Sequence, residues 1–309
     1  MPPCLNHNYL VSNQEGIFYA RKNQSWTIID IIFKKQILKY GVIILIDNNK
    51  KLSFKQQCLN EYKITENDFD FLMNSLPDLH DVRRLKRYLR RRESGEPLEY
   101  ILGCLIFRKE KYYVDKRVYV TDKEATNLVD EIVKLVHKMN IHHRAPIIVE
   151  CGVGCGALSI SVKKELPQAR LIGLDLDSDA ISVAYKNIRN HHLDIMLVES
   201  DIFSDYPNEI VPDLIFADPP WGDDDSIYDD QRDANFYHAM PCLSAFPAGG
   251  IVAVHEKILK EIKKMGWTSD ILMNMGVIES KHIKSLCDLT SWFEVKQVNE
   301  VSILHCKMN

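Results

Sequence analysis

Four short segments of this sequence place acids, glycines and prolines where they can do chemistry. Glu150 opens the loop Glu150-Cys151-Gly152-Val153-Gly154-Cys155-Gly156, Asp175 closes the apolar run Leu-Ile-Gly-Leu-Asp, and Asp201 stands in Ser200-Asp201-Ile202-Phe203. Asp218-Pro219-Pro220-Trp221 follows a fourth apolar run. Glycines in a tight turn let the backbone approach a ligand with no Cβ in the way. That signal alone is shared with dinucleotide sites, and Gly152, Gly154 and Ala157 satisfy their fingerprint. The acids argue against a pyrophosphate. A carboxylate at position 150 opposes phosphate and suits a cation. Asp175 can accept from both hydroxyls of a ribose, and Asp201 can accept from an adenine amino group while Phe203 packs on the base. Together they predict a site for S-adenosylmethionine built from Glu150, Gly152, Gly154, Gly156, Asp175, Leu176, Asp201, Ile202 and Asp218.

Asp218, Pro219, Pro220 and Trp221 are the expected catalytic group. A nitrogen in an amide, a base amino group or a guanidine has a delocalised lone pair and attacks a methyl sulfonium poorly. A polar side chain at the first position and a carbonyl of the proline turn can accept its N–H bonds and aim the lone pair. This is catalysis by positioning more than by proton transfer. Proline removes competing donors and stiffens the turn, and the indole packs against a planar group or a cation. The acids that follow (Asp223, Asp224, Asp225, Asp229, Asp230 and Asp233, relieved only by Arg232) form either a solvated loop or a rim that attracts a cationic substrate. They weigh against a nucleic-acid substrate.

These segments require a scaffold, and the hydrophobic pattern supplies one. Short apolar runs over 147–150, 170–175, 195–199, 214–217 and 251–255 predict parallel strands. Amphipathic stretches over 157–165, 179–191 and 234–245 predict the helices that cover them. Two final runs, 293–298 and 301–306, separated by Asn299 and Glu300, predict a hairpin. The expected fold is α/β: a Rossmann-like, seven-stranded sheet closed by an antiparallel hairpin, as in class I methyltransferases. A smaller, mostly helical domain precedes it. The domains expected are 1–95 for substrate recognition, 96–145 as a linker hairpin and helix, and 146–309 for catalysis. Within the first, 56–79 reads as helix, with Thr65 or Asn67 able to cap one. The run 83–92 carries seven basic residues; the simpler account is a solvated helix face with Leu85, Tyr88 and Leu89 turned inward, the other a patch for an acidic partner or phosphate backbone.

Composition sets limits. With 39 basic and 43 acidic residues the net charge is -4, so no general field favours polyanions. The first residues lack a basic segment followed by an apolar core, and the longest apolar run, 41–46, is strand-sized. Eight cysteines without a CxxC knuckle fit a reducing cytosol. A cytoplasmic protein without a metal site or membrane partner is expected. Cys151 and Cys155 read as small packing residues of the glycine loop.

Over residues 90–258 the sequence resembles the release-factor glutamine methyltransferases of the HemK/PrmC family. Gly95-Glu96-Pro97-Leu98-Glu99-Tyr100-Ile101-Leu102-Gly103, followed by Phe107, is similar to that family's segment before the catalytic domain. The glycine loop, the acid at 175, Ser200–Phe203 and the Asp218 turn then follow in order. The resemblance implies an N-terminal helical domain that contacts a protein substrate. It assigns Glu150, Gly152, Gly154 and Gly156 to the cofactor loop, Asp175 to the ribose, Asp201 to the adenine side, and Asp218 with Pro219 to the substrate nitrogen. Two departures stand out. The family writes Asn-Pro-Pro-Tyr where this chain has Asp218 and Trp221, and only Glu124 remains of its Pro-Arg-Pro-Glu-Thr-Glu segment. An ionised aspartate only accepts hydrogen bonds, which suits an acceptor that presents donors alone. The expected activity is N-methylation of a planar or cationic nitrogen, on a peptide or protein side chain (glutamine by family default) or a small amino-acid-like molecule. Two other readings stay open: a methyltransferase of nucleic-acid base amino groups, and a non-catalytic cofactor-binding regulator.

Overall fold

The computed structural model describes residues 10–12, 18–22, 25–28, 54–75, 82–139, 141, 143–220, 234–276 and 278–308. The apolar run 41–46 lies outside them. The chain divides between Leu102 and Gly103 into two compact units.

The N-terminal unit begins with strands β1 (Leu10–Ser12), β2 (Phe18–Lys22) and β3 (Ser25–Ile28), paired antiparallel in that order. This small sheet is an addition to the helical unit expected. Helices α1 (Phe54–Tyr62), α2 (Glu66–Ser75), α3 (Val82–Glu93) and α4 (Leu98–Leu102) follow. The helical stretch is divided at Lys63, which takes φ 49°, and Thr65, one of the two expected caps, caps α2: its Oγ1 accepts the Asp68 N–H at 3.1 Å. Leu85, Tyr88 and Leu89 of α3 are buried against Cys58, Tyr62, Phe69, Leu72, Met73 and Ile101. The basic run therefore forms one face of a packed helix. Arg92 Nε donates to Asp68 at 2.9 Å and Arg91 Nε to Glu96 at 2.6 Å, tying α3 to α2 and to the turn before α4.

The second unit opens with the hairpin β4 (Leu105–Phe107) and β5 (Glu110–Tyr112), then helix α5 (Thr126–Lys138). The alternating portion follows: β6 (Ile147–Cys151), α6 (Ala157–Glu165), β7 (Arg170–Asp175), α7 (Ser178–Asn190), β8 (Met196–Glu199) and β9 (Leu214–Ala217). Next come α8 (Ala234–His238), α9 (Cys242–Ala245), α10 (Ala253–Met265), β10 (Asp270–Gly276), α11 (Ser280–Cys287), β11 (Trp292–Val298) and β12 (Val301–Lys307). The sheet order is β11-β12-β10-β9-β6-β7-β8, with β12 antiparallel to both neighbours. Strands buried on both faces read as unbroken apolar runs, and every residue of β9 is buried.

Two expectations are corrected. The run 251–255 is no strand: its apolar residues continue at helical spacing, and His255, Ile258, Leu259 and Ile262 form the buried face of α10. The fifth parallel strand is β10, which pairs with β9. The helix expected over 234–245 is two short ones, because Pro241 lacks an N–H to continue the first and instead caps α9. Among the described residues no helix is long and apolar enough to cross a membrane.

The order of strands reverses beside β6, whose neighbours are β7 on one side and β9 on the other. At such a switch point the connections leave in opposite directions and open a crevice at the carboxyl ends of the strands. The core beneath holds an edge-to-face trio: Phe203 and Tyr206 meet Trp267 at ring separations of 5.0 and 5.4 Å. Replacing Phe203 by alanine opens a cavity in this trio. In urea titration Phe203→Ala is expected to lose about 3–5 kcal/mol of stability.

Candidate active site

Glu150 occupies the penultimate position of β6, opposite Phe216 of β9, and Asp218 is the first residue beyond β9. With strands ~4.8 Å apart and a rise of ~3.3 Å per residue, the two Cα atoms are roughly 8 Å apart. Asp175 ends β7 and Asp201 follows β8. All four acids reach the same crevice. Its cavity, about 620 Å³, is lined by Glu150, Gly152, Gly154, Asp175, Leu176, Asp201, Ile202, Asp218, Pro219 and Pro220. Trp221 and the acidic stretch after it lie outside the described residues.

The glycine loop is shaped from below. Gly152 and Val153 both donate N–H bonds to the Leu174 carbonyl at 2.8 Å, and the Gly154 N–H donates to Asp175 Oδ2 at 2.9 Å. Gly152 (φ 80°) and Gly154 (φ 52°) take left-handed backbone, and a Cβ added at either meets nothing within 4 Å. The loop therefore turns an open, side-chain-free surface to the cavity. Gly156 stands apart from the other two: it is not among the residues that line the cavity, and a Cβ added to it would lie 3.5 Å from Ala184 and Ile160, where α6 packs on α7.

Each acid has a distinct environment. Glu150 is 2% exposed, and Oε2 accepts from the Ser159 N–H at 3.0 Å and from the Ser159 hydroxyl. Burial pushes its pKa up to about 8 against those bonds, with Asp218 and Asp175 adding repulsion. Asp175 is raised by burial, opposed by N–H bonds from Gly154 and Asp177. Asp218 is raised by burial to about 6, opposed by Asn274, whose Nδ2 donates to Oδ1 at 2.8 Å. Asp201 differs: both its oxygens accept from Lys257 Nζ, at 2.5 and 2.6 Å.

Asn274, Lys257 and Ser159 escaped the sequence reading. Asn274 is a lone amide in the apolar strand β10. Its Oδ1 accepts from the Gly276 N–H at 3.0 Å, which fixes the amide so that Nδ2 points at Asp218. Its carbonyl accepts from His255 Nε2 at 3.2 Å. Burial holds His255 down to about 4, hence neutral. Lys257 comes from the segment mistaken for a strand. Phe203 is a further correction: it turns into the core, and Ile202, held at φ 54° with its carbonyl accepting from Ser200 Oγ, faces the cavity instead. A β-branched residue in that region costs about 1–3 kcal/mol, which is how the chain turns Ile202 out and Phe203 in.

Such a cavity suits one kind of ligand. Among the described residues no ion pair reaches the raised carboxylates of Glu150, Asp175 and Asp218, a bare glycine loop leaves room, and acids stand where a diol and an amino group can reach. The residues present fit S-adenosylmethionine. Fold and site together define a class I methyltransferase.

Comparison with known proteins agrees. The family model described as methyltransferase small domain matches residues 125–279, half of the chain, and the chain belongs to this family of S-adenosylmethionine-dependent enzymes. It is similar to the release factor glutamine methyltransferase of Caulobacter vibrioides, 27% identical over 227 residues that cover 72% of this chain and 75% of the relative. The enzyme of that name from Streptococcus pneumoniae is 23% identical over 249 residues, 80% and 81% of the two chains. Among solved structures, the hMettl16 catalytic domain in complex with a 3'UTR hairpin shares the fold at TM-score 0.50 and 14% identity, over 78% of this chain and 91% of that one.

The raised acids carry a consequence for the ligand-free protein. Glu150 holds its proton more tightly folded than unfolded, so its contribution is complete below the ordinary value of 4.5 and is lost as pH rises to about 8. The melting temperature of the ligand-free chain should therefore fall across that interval, while Glu150→Gln flattens the decline. An unchanged slope in the variant would assign the pH dependence to other groups.

Proposed function

We propose that this protein transfers a methyl group to a planar side-chain nitrogen of a protein substrate, with the glutamine of a release factor as its first candidate acceptor. The observation that supports this most is that Glu150 and Asp218, from adjacent strand ends, line one cavity. The acceptor class follows the names of its relatives.

Bound S-adenosylmethionine supplies a methyl group on a cationic sulfur, an electrophile that needs only a correctly aimed lone pair. The protein's residues divide the remaining work. Glu150 balances the positive charge from beneath the glycine loop, with Ser159 holding its Oε2. Gly152 and Gly154 admit the ligand, Asp175 takes the ribose hydroxyls, and Asp201 with Lys257 and Ile202 borders the adenine. Asp218 and the Pro219 carbonyl accept the N–H bonds of the acceptor and set its lone pair toward the methyl carbon.

Asp218 also favours a second acceptor class. Asn274 ties down Oδ1, so the carboxylate offers the cavity an oxygen that accepts and, when ionised, cannot donate. An amine or guanidine presents donors alone and matches that oxygen; an amide also presents a carbonyl, which an ionised Asp218 cannot satisfy.

Labelled methyl donor supplied with purified release factor, and separately with peptides bearing lysine or arginine, separates the two. Label in the glutamine supports the first acceptor, and label only in the cationic peptides replaces it with the second. With whichever acceptor is methylated, Asp218→Ala is expected to lower kcat by about 10²–10³-fold with donor affinity changed only a few-fold. The acid limb of the kcat/KM profile should fall as pH drops through about 6, where Asp218 gains its proton. Full activity in Asp218→Ala would remove Asp218 from the mechanism.

A further inference from the structure

The sheet has an open flank far from the cavity. β11 is terminal in the strand order, and among the described residues no strand pairs with its outer side. Natural edges are usually blunted by proline, bulges or strong twist. β11 contains no proline, and its register with β12 runs unbroken from Trp292 opposite Lys307 to Val298 opposite Val301. Three large apolar side chains are exposed along it: Trp292 at 45%, Phe293 at 51% and Val295 at 42%. Phe293 and Val295 stand opposite Cys306 and Leu304, both fully buried in the main core. The face that carries the core thus continues, uncovered, onto the edge strand. Glu294 and Lys296 take the other face, where Lys296 Nζ lies 3.2 Å from Glu131 and 3.6 Å from Glu294.

An edge of this kind accepts another strand, and the order of its residues says which. In antiparallel pairing about a two-fold axis at Val295, Glu294 lies opposite Lys296 of a second copy, and Lys296 opposite that copy's Glu294. Trp292 then meets Val298, and the two Val295 side chains meet on the axis. Directly opposed unlike charges stabilise a cross-strand pair and like charges oppose it. Moving the axis to residue 294 sets glutamate against glutamate, and moving it to 296 sets lysine against lysine. The charges therefore single out one register. On the opposite face each Phe293 lies opposite Gln297 of the second copy, beside the two Val295 side chains.

We propose that β11 pairs with β11 of a second copy of this chain, in an isologous antiparallel dimer that carries one sheet across the two-fold axis. β11 is separated from β9 by β12 and β10, so the cavity beside β6 and β9 stays open in each copy.

Sedimentation velocity on the full chain over a concentration series tests this. The wild type is expected to reach twice the chain mass. Glu294→Lys places lysine opposite lysine and should return the mass to that of a single chain. The double variant Glu294→Lys with Lys296→Glu restores unlike charges across the axis and should restore the dimer. Because Lys296→Glu also faces Glu131, Val295→Arg is the second measurement: Val295 is 42% exposed, and the substitution sets two cations on the axis, so it should be monomeric with unchanged donor binding. A wild type that stays monomeric throughout, or a dimer that survives both Glu294→Lys and Val295→Arg, overturns the proposal.

Discussion

Carboxylates gathered where the strand order reverses, with no ion pair to Glu150, Asp175 or Asp218 among the described residues, are the constraint on which the rest of this structure depends. Parallel strands end with their side chains directed into the crevice, and at β6, β7 and β9 those ends carry Glu150, Asp175 and Asp218. Burying carboxylates is costly unless they are neutralised or paired. The protein supplies partial relief through neutral donors: the Ser159 hydroxyl and N–H, backbone N–H groups of the glycine loop, and the Asn274 amide. Among the described residues no cation pairs with these three acids, so a bound cation can balance them. A sulfonium donor therefore completes the electrostatics of the fold, and its affinity and the stability of the ligand-free protein draw on the same groups.

The surrounding architecture keeps that arrangement rigid. Gly152, Val153 and Gly154 are pinned to the end of β7, so the loop position depends on the β6–β7 register. Asp218 depends on the neighbouring pair β9–β10, through an amide oriented by Gly276. The β6–β7 and β6–β9 registers, which meet at β6, set the distance between the glycine loop and Asp218. Lys257 adds a tie from α10 to Asp201, joining the turn after β8 to that helix.

Much of this was legible in the sequence, for a definite physical reason. Strands buried on both faces appear as apolar runs, and a polar residue that ends such a run falls at the sheet edge; Glu150, Asp175 and Asp218 were found that way. The same rule failed at residues 251–255, where an apolar stretch belonged to a helical period that becomes visible only when Ile258, Leu259 and Ile262 are counted with it. Phe203 was assigned to the ligand because residue type alone cannot say which way a turn points, and the left-handed Ile202 reverses the expected order. Gly156 looked like its neighbours but answers to helix packing. Asn274 and Lys257 act across 56 residues, a separation that local pattern does not span. The one available signal for Asn274 was an amide inside an otherwise apolar strand.

Titration calorimetry of S-adenosylmethionine against the purified chain at neutral pH, repeated in buffers of different ionisation enthalpy, measures the charge balance directly. The account predicts binding accompanied by release of about one proton, because the sulfonium returns Glu150 to its ionised form, and a smaller release with the uncharged S-adenosylhomocysteine. Binding of the cationic donor with no proton released, or no binding at all, would contradict it.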